Sequence, residues 1–252
     1  MDNILSLDKI TLTYFSDNGE TLALSDISFS IKKGEFVSIV GPSGCGKTTI
    51  LSIISGLLKP TSGDIKFFDI EDTLSKTGYM FQKDHLFEWR NVLNNVYLGL
   101  EIQKKKTQEN TDYVNTLLQK YGLWEFRNKY PNQLSGGMRQ RVALIRTLAL
   151  KPKILLLDEA FSALDYQTRL NVCDDISLIL KSEGITSILV THDISEAISL
   201  SDRIIVLTSR PAKVKNIHTI DLGDSTPLQK RENPNFNLYF DKIWGELQNE
   251  KS

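Results

Sequence analysis

The octapeptide Gly41-Pro-Ser-Gly-Cys-Gly-Lys-Thr48 constrains this chain more than any other feature, because it fits G-x-x-x-x-G-K-[ST] at every fixed position. It follows the apolar run Glu35-Phe-Val-Ser-Ile-Val40 and leads into Thr48-Thr-Ile-Leu-Ser-Ile-Ile-Ser-Gly56, which is helix-like and stopped by glycine. Strand, loop and helix in that order are the context of a phosphate-binding P-loop. Its glycines let backbone N–H groups converge on phosphate oxygens while the helix presents its positive end. Lys47 then reaches the β and γ phosphates and the Thr48 hydroxyl ligates Mg²⁺. Cys45 lies inside the loop, where a helix N-terminus favours the thiolate, although tolerance of a small side chain accounts for it without any redox role.

The surrounding pattern predicts an α/β core. Ile4 to Tyr14 and Leu24 to Ile31 alternate apolar and polar positions, the period of half-buried strands, with Asp17, Asn18 and Gly19 reading as the turn between them. Ile154 to Leu157 and Thr186 to Thr191 carry no alternation, as expected of parallel strands buried on both faces. A helical stretch with many polar residues, 86–150, is inserted between these parts, and its lysine run at Lys104, Lys105 and Lys106 reads as a solvated helix end. From Ser209 onward Pro211, Pro227 and Pro234 break the pattern, leaving 209–252 as a C-terminal extension whose segment Phe236 to Leu247 is amphipathic. The whole chain, 1–252, reads as one domain.

Composition narrows the partners. With 30 Lys and Arg against 31 Asp and Glu, a net charge of −1 provides no global field for nucleic acid or an anionic membrane, so phosphate binding must be local. No apolar run approaches the roughly 18 residues of a membrane-spanning helix, and MDNILSLDKI lacks the basic start and apolar stretch of a signal peptide, which predicts a cytosolic protein. Two cysteines, Cys45 and Cys173, without CxxC spacing or a histidine cluster, argue against a disulfide scaffold or a zinc site.

Two further segments carry chemistry. Ile154-Leu-Leu-Leu-Asp158-Glu159 is a buried strand ending in two acids. Read alone it is as often a capped strand end. Beside a P-loop it places Asp158 to hold the Mg²⁺ shell and Glu159 to orient or activate a water. The strand that follows ends in Thr191-His192-Asp193, on the side where nucleotides bind in open α/β sheets, which makes His192 a candidate γ-phosphate contact. Leu134-Ser-Gly-Gly-Met-Arg-Gln-Arg141 precedes an amphipathic helix with Val142, Leu144, Ile145 and Leu148. Ser135, Gly136 and Gly137 therefore form a second anion-binding helix start.

With these motifs in order the sequence resembles the nucleotide-binding subunits of ABC transporters over nearly its whole length. The resemblance implies a P-loop NTPase, RecA-like core with an antiparallel β subdomain and an α-helical signature subdomain. It implies ATP and Mg²⁺ as cofactors, with Gly41, Pro42, Ser43, Gly44, Cys45, Gly46, Lys47, Thr48 and Thr49 around the phosphates. It further implies an adenine-stacking aromatic best matched by Tyr14, a Gln at Gln82 that senses the γ-phosphate and joins Thr48 and Asp158 at the metal, and dimer communication through Asp165 of Ser162-Ala-Leu-Asp165. Glu159, His192 and Gln82 are its catalytic set. Ser135, Gly136 and Gly137 would complete the ATP site of a second copy in a head-to-tail dimer. Met138 replaces the usual Gln at the end of the signature, removing one polar side chain but not the backbone of the two glycines.

Within that family, Gln82-Lys-Asp-His-Leu-Phe-Glu-Trp89, Asn91-Val, Asn95-Val, Ser209-Arg-Pro211 and the tail from Asn233 to Trp244 resemble importers for nitrate, sulfonate and taurine; Glu88 stands where that group usually has Pro. Pyrimidine-precursor and riboflavin importers of the same branch remain open. The resemblance thus implies permease subunits, an extracytoplasmic solute-binding protein as an indirect partner, and a peripheral position on the cytoplasmic face of the membrane. The different-class rivals fit less well: DNA-repair and chromosome ATPases resemble heads split by a very long coiled coil, and translation-associated ATPases resemble two fused cassettes. Here only the residues between Thr48 and Leu134 separate the motifs, without sustained heptads.

Overall fold

The computed structural model describes residues 2–17, 19–68 and 77–248; Asn18 of the expected turn and the last positions of the expected extension, 249–252, lie outside them. The elements run β1 (Asn3–Ser16), β2 (Gly19–Lys32), β3 (Phe36–Val40), α1 (Lys47–Ile54), β4 (Ser62–Phe67), β5 (Thr77–Met80), α2 (Val92–Ile102), α3 (Gln108–Lys120) and α4 (Gly136–Leu148). They continue as β6 (Ile154–Asp158), α5 (Tyr166–Glu183), β7 (Thr186–Val190), α6 (Ile194–Leu200), β8 (Arg203–Leu207), β9 (Val214–Thr219), α7 (Pro227–Arg231) and α8 (Phe236–Gln248).

Two sheets result: a three-stranded antiparallel sheet ordered β2-β1-β4, and a six-stranded sheet ordered β5-β6-β7-β3-β8-β9 that is parallel except for β9. The parallel strands are buried on both faces, and their side chains are sorted with period two. Leu155, Leu157 and Leu189 face the helices α2 to α5, whereas Ile154, Leu156, Ile188 and Ile39 face β1, β2 and α1. Truncating one such fully buried leucine to alanine costs about 2–5 kcal/mol. A third apolar cluster packs α6 and α8 onto Val40, Ile204 and Val206, with Phe236 and Ile243 as the buried stripe of α8. The stretch beyond Ser209 thus supplies an edge strand of the main sheet as well as two helices.

Strand register explains where chemistry gathers. Asp158 of β6 pairs with Val190 of β7, and Val190 pairs with Ile39 of β3. The carboxyl ends of the three strands therefore lie level, and Gly41, Glu159 and His192 leave the sheet along one crest. β3 sits between β7 and β8, so connections diverge to either side of it, the arrangement that opens a crevice in α/β sheets. Polar motif residues also start helices: Ser135 caps α4, Asp165 caps α5 and Asp193 caps α6, each accepting a backbone N–H three residues on. Among the described residues no helix is long and apolar enough to cross a membrane.

Candidate active site

The loop between β3 and α1 wraps around Lys47, whose Nζ donates to the carbonyls of Gly41 and Pro42, each at 2.9 Å. Gly46 holds φ 121°, and a Cβ there would meet Leu24 Cδ2 at 2.7 Å, so the turn into α1 excludes every other residue. Cys45 is buried beneath the loop and corrects the thiolate expectation. Burial pushes its thiol up, outweighing the charge of Lys47 and the loop N–H groups that favour ionisation.

A cleft of about 570 Å³ opens over the loop, lined by Ser43, Gly44, Gly46, Lys47, Thr48, Thr49, Glu159, His192 and Arg210. Thr48 Oγ1 donates to Asp158 Oδ1 at 2.9 Å, and the Tyr79 hydroxyl donates to Asp158 Oδ2 at 3.0 Å. Burial and the adjacent Asp158 charge both raise the Tyr79 phenol, so it stays a donor. Glu159 holds φ 47°, a left-handed conformation that a non-glycine residue keeps only where its surroundings enforce it; here its N–H donates to Val190 O at 2.9 Å. That conformation brings its Oε1 within 3.3 Å of His192 Nδ1. Tyr14 is half exposed, and its hydroxyl shares a hydrogen bond of 3.1 Å with Thr49 Oγ1 at the same helix start.

Gln82 joins from β5 by relay: its Nε2 donates to Ser162 Oγ at 3.1 Å, and Ser162 Oγ donates to Glu159 O at 2.9 Å. The loop after Gln82 is anchored to α4. Arg139 Nε donates to Asp84 Oδ2 at 3.0 Å, and Arg146 donates to the carbonyls of Asp84 and His85 at 2.6 and 2.7 Å. These contacts tie that loop to the helix that Ser135 caps.

Ser135, Gly136, Gly137 and Asp165 are not among the residues lining the cleft of their own protomer. Gly137 is required by packing, since a Cβ there would meet Val172 Cγ2 at 2.9 Å. Hydrogen bonds from Thr168 hold the Asp165 carboxyl below its usual range. Arg210, noted in the sequence only as part of Ser209-Arg-Pro211, was missed as a cleft residue. Its guanidinium donates to Gly44 O at 2.7 Å. No local signal marks it: its place follows from the pairing of β8, just before it, with β3 through Val206 and Val40.

A lysine-bearing loop at a helix start, an acid-tipped neighbouring strand and a histidine-tipped third strand form a cleft suited to a nucleoside triphosphate. The family model described as ABC transporter matches residues 24–162. The chain belongs to the ABC transporter family. It is an ATP-binding cassette that hydrolyses ATP in coupling to transport. The chain is 46% identical over 249 residues to the ABC transporter ATP-binding protein YtlC of Bacillus subtilis, covering 97% of this chain and 96% of that one. It is 38% identical over 248 residues to the taurine import ATP-binding protein TauB of Jannaschia sp., covering 96% and 92%. The spermidine/putrescine import ATP-binding protein PotA of Mycoplasma capricolum is 44% identical over 211 residues, covering 82% of this chain and 59% of that one. Among solved structures, the dimeric post-hydrolysis state of the cassette MJ0796 bound to ADP and Pi superposes with TM-score 0.71 at 35% identity, covering 86% of this chain and 99% of that one. This cassette shares its α/β fold with that structure.

Proposed function

We propose that this chain is the ATPase subunit of an importer, acting as a head-to-tail homodimer that closes on two MgATP and reopens on hydrolysis. The observation that carries the reading is the crest itself: Lys47, Thr48, Glu159 and His192 share one cleft, while the capped start of α4 at Ser135 lies outside it, free to complete a second copy's site.

In this reading Lys47 and the loop N–H groups hold the phosphates, and Tyr14 stacks on the base. Glu159 takes a proton from the attacking water, and His192, 3.3 Å from it, orients that carboxylate and meets the γ-phosphate. The Thr48 hydroxyl, the Asp158 carboxylate and the Gln82 amide are hard oxygen donors. They suit Mg²⁺, which keeps its remaining positions for phosphate and water, and Thr48 and Asp158 already stand 2.9 Å apart. When bound, Mg²⁺ would neutralise charge developing on the phosphates. Asp165 conveys closure to the second copy.

The permease dock is assigned to the loop after Gln82. Trp89 is 73% exposed, and Phe87 packs against it at 4.7 Å between ring centroids. Asn95, fully buried, fixes that loop by accepting from Phe87 N at 2.8 Å and donating to Phe87 O and Arg90 O at 3.1 and 2.8 Å. An exposed aromatic on a rigid loop beside Gln82 is what a docking anchor needs. The assembly would sit on the cytoplasmic face of the membrane, served from outside by a solute-binding protein. We assign the solute to the small organic or anionic class of taurine, sulfonate and nitrate, with the polyamine relative as the competing reading. Uptake of labelled taurine, nitrate and spermidine by cells with and without the intact chain tests both: loss of taurine or nitrate uptake supports the assignment, and loss of spermidine uptake alone replaces it.

A further inference from the structure

Two loops that leave neighbouring strands are tied by a side chain that none of the motifs contains. Arg169 stands one turn into α5, and its Nη2 donates to Leu164 O at 2.9 Å and to Ser162 O at 3.4 Å. Its Nη1 lies 3.6 Å from Asp193 Oδ2, with the two side chains 22% and 30% exposed. Asp193 follows His192 directly and spends its other oxygen on capping α6, accepting from Glu196 N at 3.0 Å. Ser162 Oγ in turn donates to Glu159 O, and His192 Nδ1 returns to Glu159 Oε1 at 3.3 Å. The contacts close a ring: Glu159, Ser162, Arg169, Asp193, His192 and back to Glu159. Below it lies Glu196, 3% exposed, with Cys173 Sγ 4.0 Å from its Oε1.

Only a planar guanidinium reaches acceptors on two loops at once; lysine offers a point charge on one flexible stem. Half-burying such a group is unfavourable unless its partners are fixed, which argues that the separation of the two loops, rather than mere cohesion, is being set. We propose that Arg169 and Asp193 form a positioning pair that holds His192 and Glu159 in fixed relation to the loop Ser162–Asp165, so that displacement of that loop on dimer closure is transmitted to the hydrolytic pair. The proposal rests on the ATPase reading above and adds the pair that links its two halves.

The test is a double-mutant cycle on the full-length chain, using R169M, D193N and R169M/D193N, with R169K as a second arginine variant. Asp193→Asn keeps an oxygen for the α6 cap and replaces the oxygen that faces Arg169 with an NH2 donor, removing both the charge and the acceptor of the pair. Expected are kcat losses of roughly ten-fold or more in each single variant with KM for ATP and calorimetric ATP affinity within about two-fold of wild type, and a double variant no worse than the poorer single. R169K, charged but unforked, should recover less than half of the lost kcat. Unchanged kcat in both singles, losses that multiply in the double, or ATP affinity and melting temperature falling in parallel with kcat would overturn the pair. Should R169M fail to fold, R169K with D193N provides the same cycle. A wild-type chain that neither binds nor hydrolyses ATP would instead strike the ATPase reading, whatever the variants do.

Discussion

Thr48 and Asp158 stand 110 positions apart in the chain, yet the Thr48 hydroxyl donates to the Asp158 carboxylate across 2.9 Å. The pairing of β6 with β7 and β7 with β3 brings them together. It sets two hard oxygen donors side by side, the pair proposed above to hold Mg²⁺ against nucleotide phosphates.

Asp158→Asn should therefore abolish the gain in ATP affinity that Mg²⁺ confers while leaving metal-free ATP binding nearly unchanged. Titration calorimetry with Mg²⁺ and with EDTA reads both quantities. An undiminished Mg²⁺ effect in the variant would remove Asp158 from the metal shell.

Lys47 donates to two carbonyls of the loop, and Lys47→Ala deletes a charge-assisted contact worth about 1.5–3 kcal/mol, or roughly 10- to 100-fold in ATP affinity. Equal affinities in wild type and variant would sink the P-loop assignment.

Glu159→Gln keeps shape and removes the base, so ATP should bind, stay unhydrolysed and trap a dimer visible by light scattering. A mixed dimer of Ser135→Arg and Lys47→Ala protomers should retain one site free of both lesions, whereas each homodimer has none. Monomers alone from Glu159→Gln with ATP would refute the sandwich.

Burial pushes the Glu196 carboxyl up to about 7 from an ordinary 4.5. The folded state thus holds its proton to higher pH than the unfolded chain. Below pH 4.5 both forms are protonated and nothing is lost; stability then falls as pH rises toward 7 and levels off above it. Glu196→Gln, which mimics the neutral form, should become more stabilising by about 2 kcal/mol between pH 5 and pH 8. Denaturant melts at the two pH values check this, and an equal effect at both would show that burial does not hold the proton.

Phe87→Ala with Trp89→Ala should leave ATP binding and melting temperature of the isolated subunit nearly intact, yet weaken membrane attachment about 30-fold, on the order of 2 kcal/mol. Cosedimentation with permease-containing membranes measures it. Unchanged attachment would defeat the docking role.

Much of the site was legible because its parts are local. The P-loop needs one strand, eight residues and one helix, and Asp158 and Glu159 need one buried strand end. Helix α5 went unread although Val172, Cys173, Ile176, Ile179 and Leu180 mark its buried stripe at helical spacing, with Asp165 and Gly184 at its ends. Strand β4 alternates only over Asp64-Ile-Lys-Phe67, with Ile65 and Phe67 partly buried against the core, a run too short to stand out in the sequence.

The order of motifs along the chain determined the class of protein and named the residues proposed to handle phosphate, because each motif is a short-range steric and electrostatic solution that its own sequence specifies. Tertiary structure alone decided the rest: that Arg210 lines the cleft, that Tyr79 braces Asp158, that Cys45 is driven toward its thiol, and that Arg169 meets Asp193. Those facts depend on which strands lie side by side and how deeply a group is desolvated. Both are set by long-range pairing and close packing, which no local window of residues encodes.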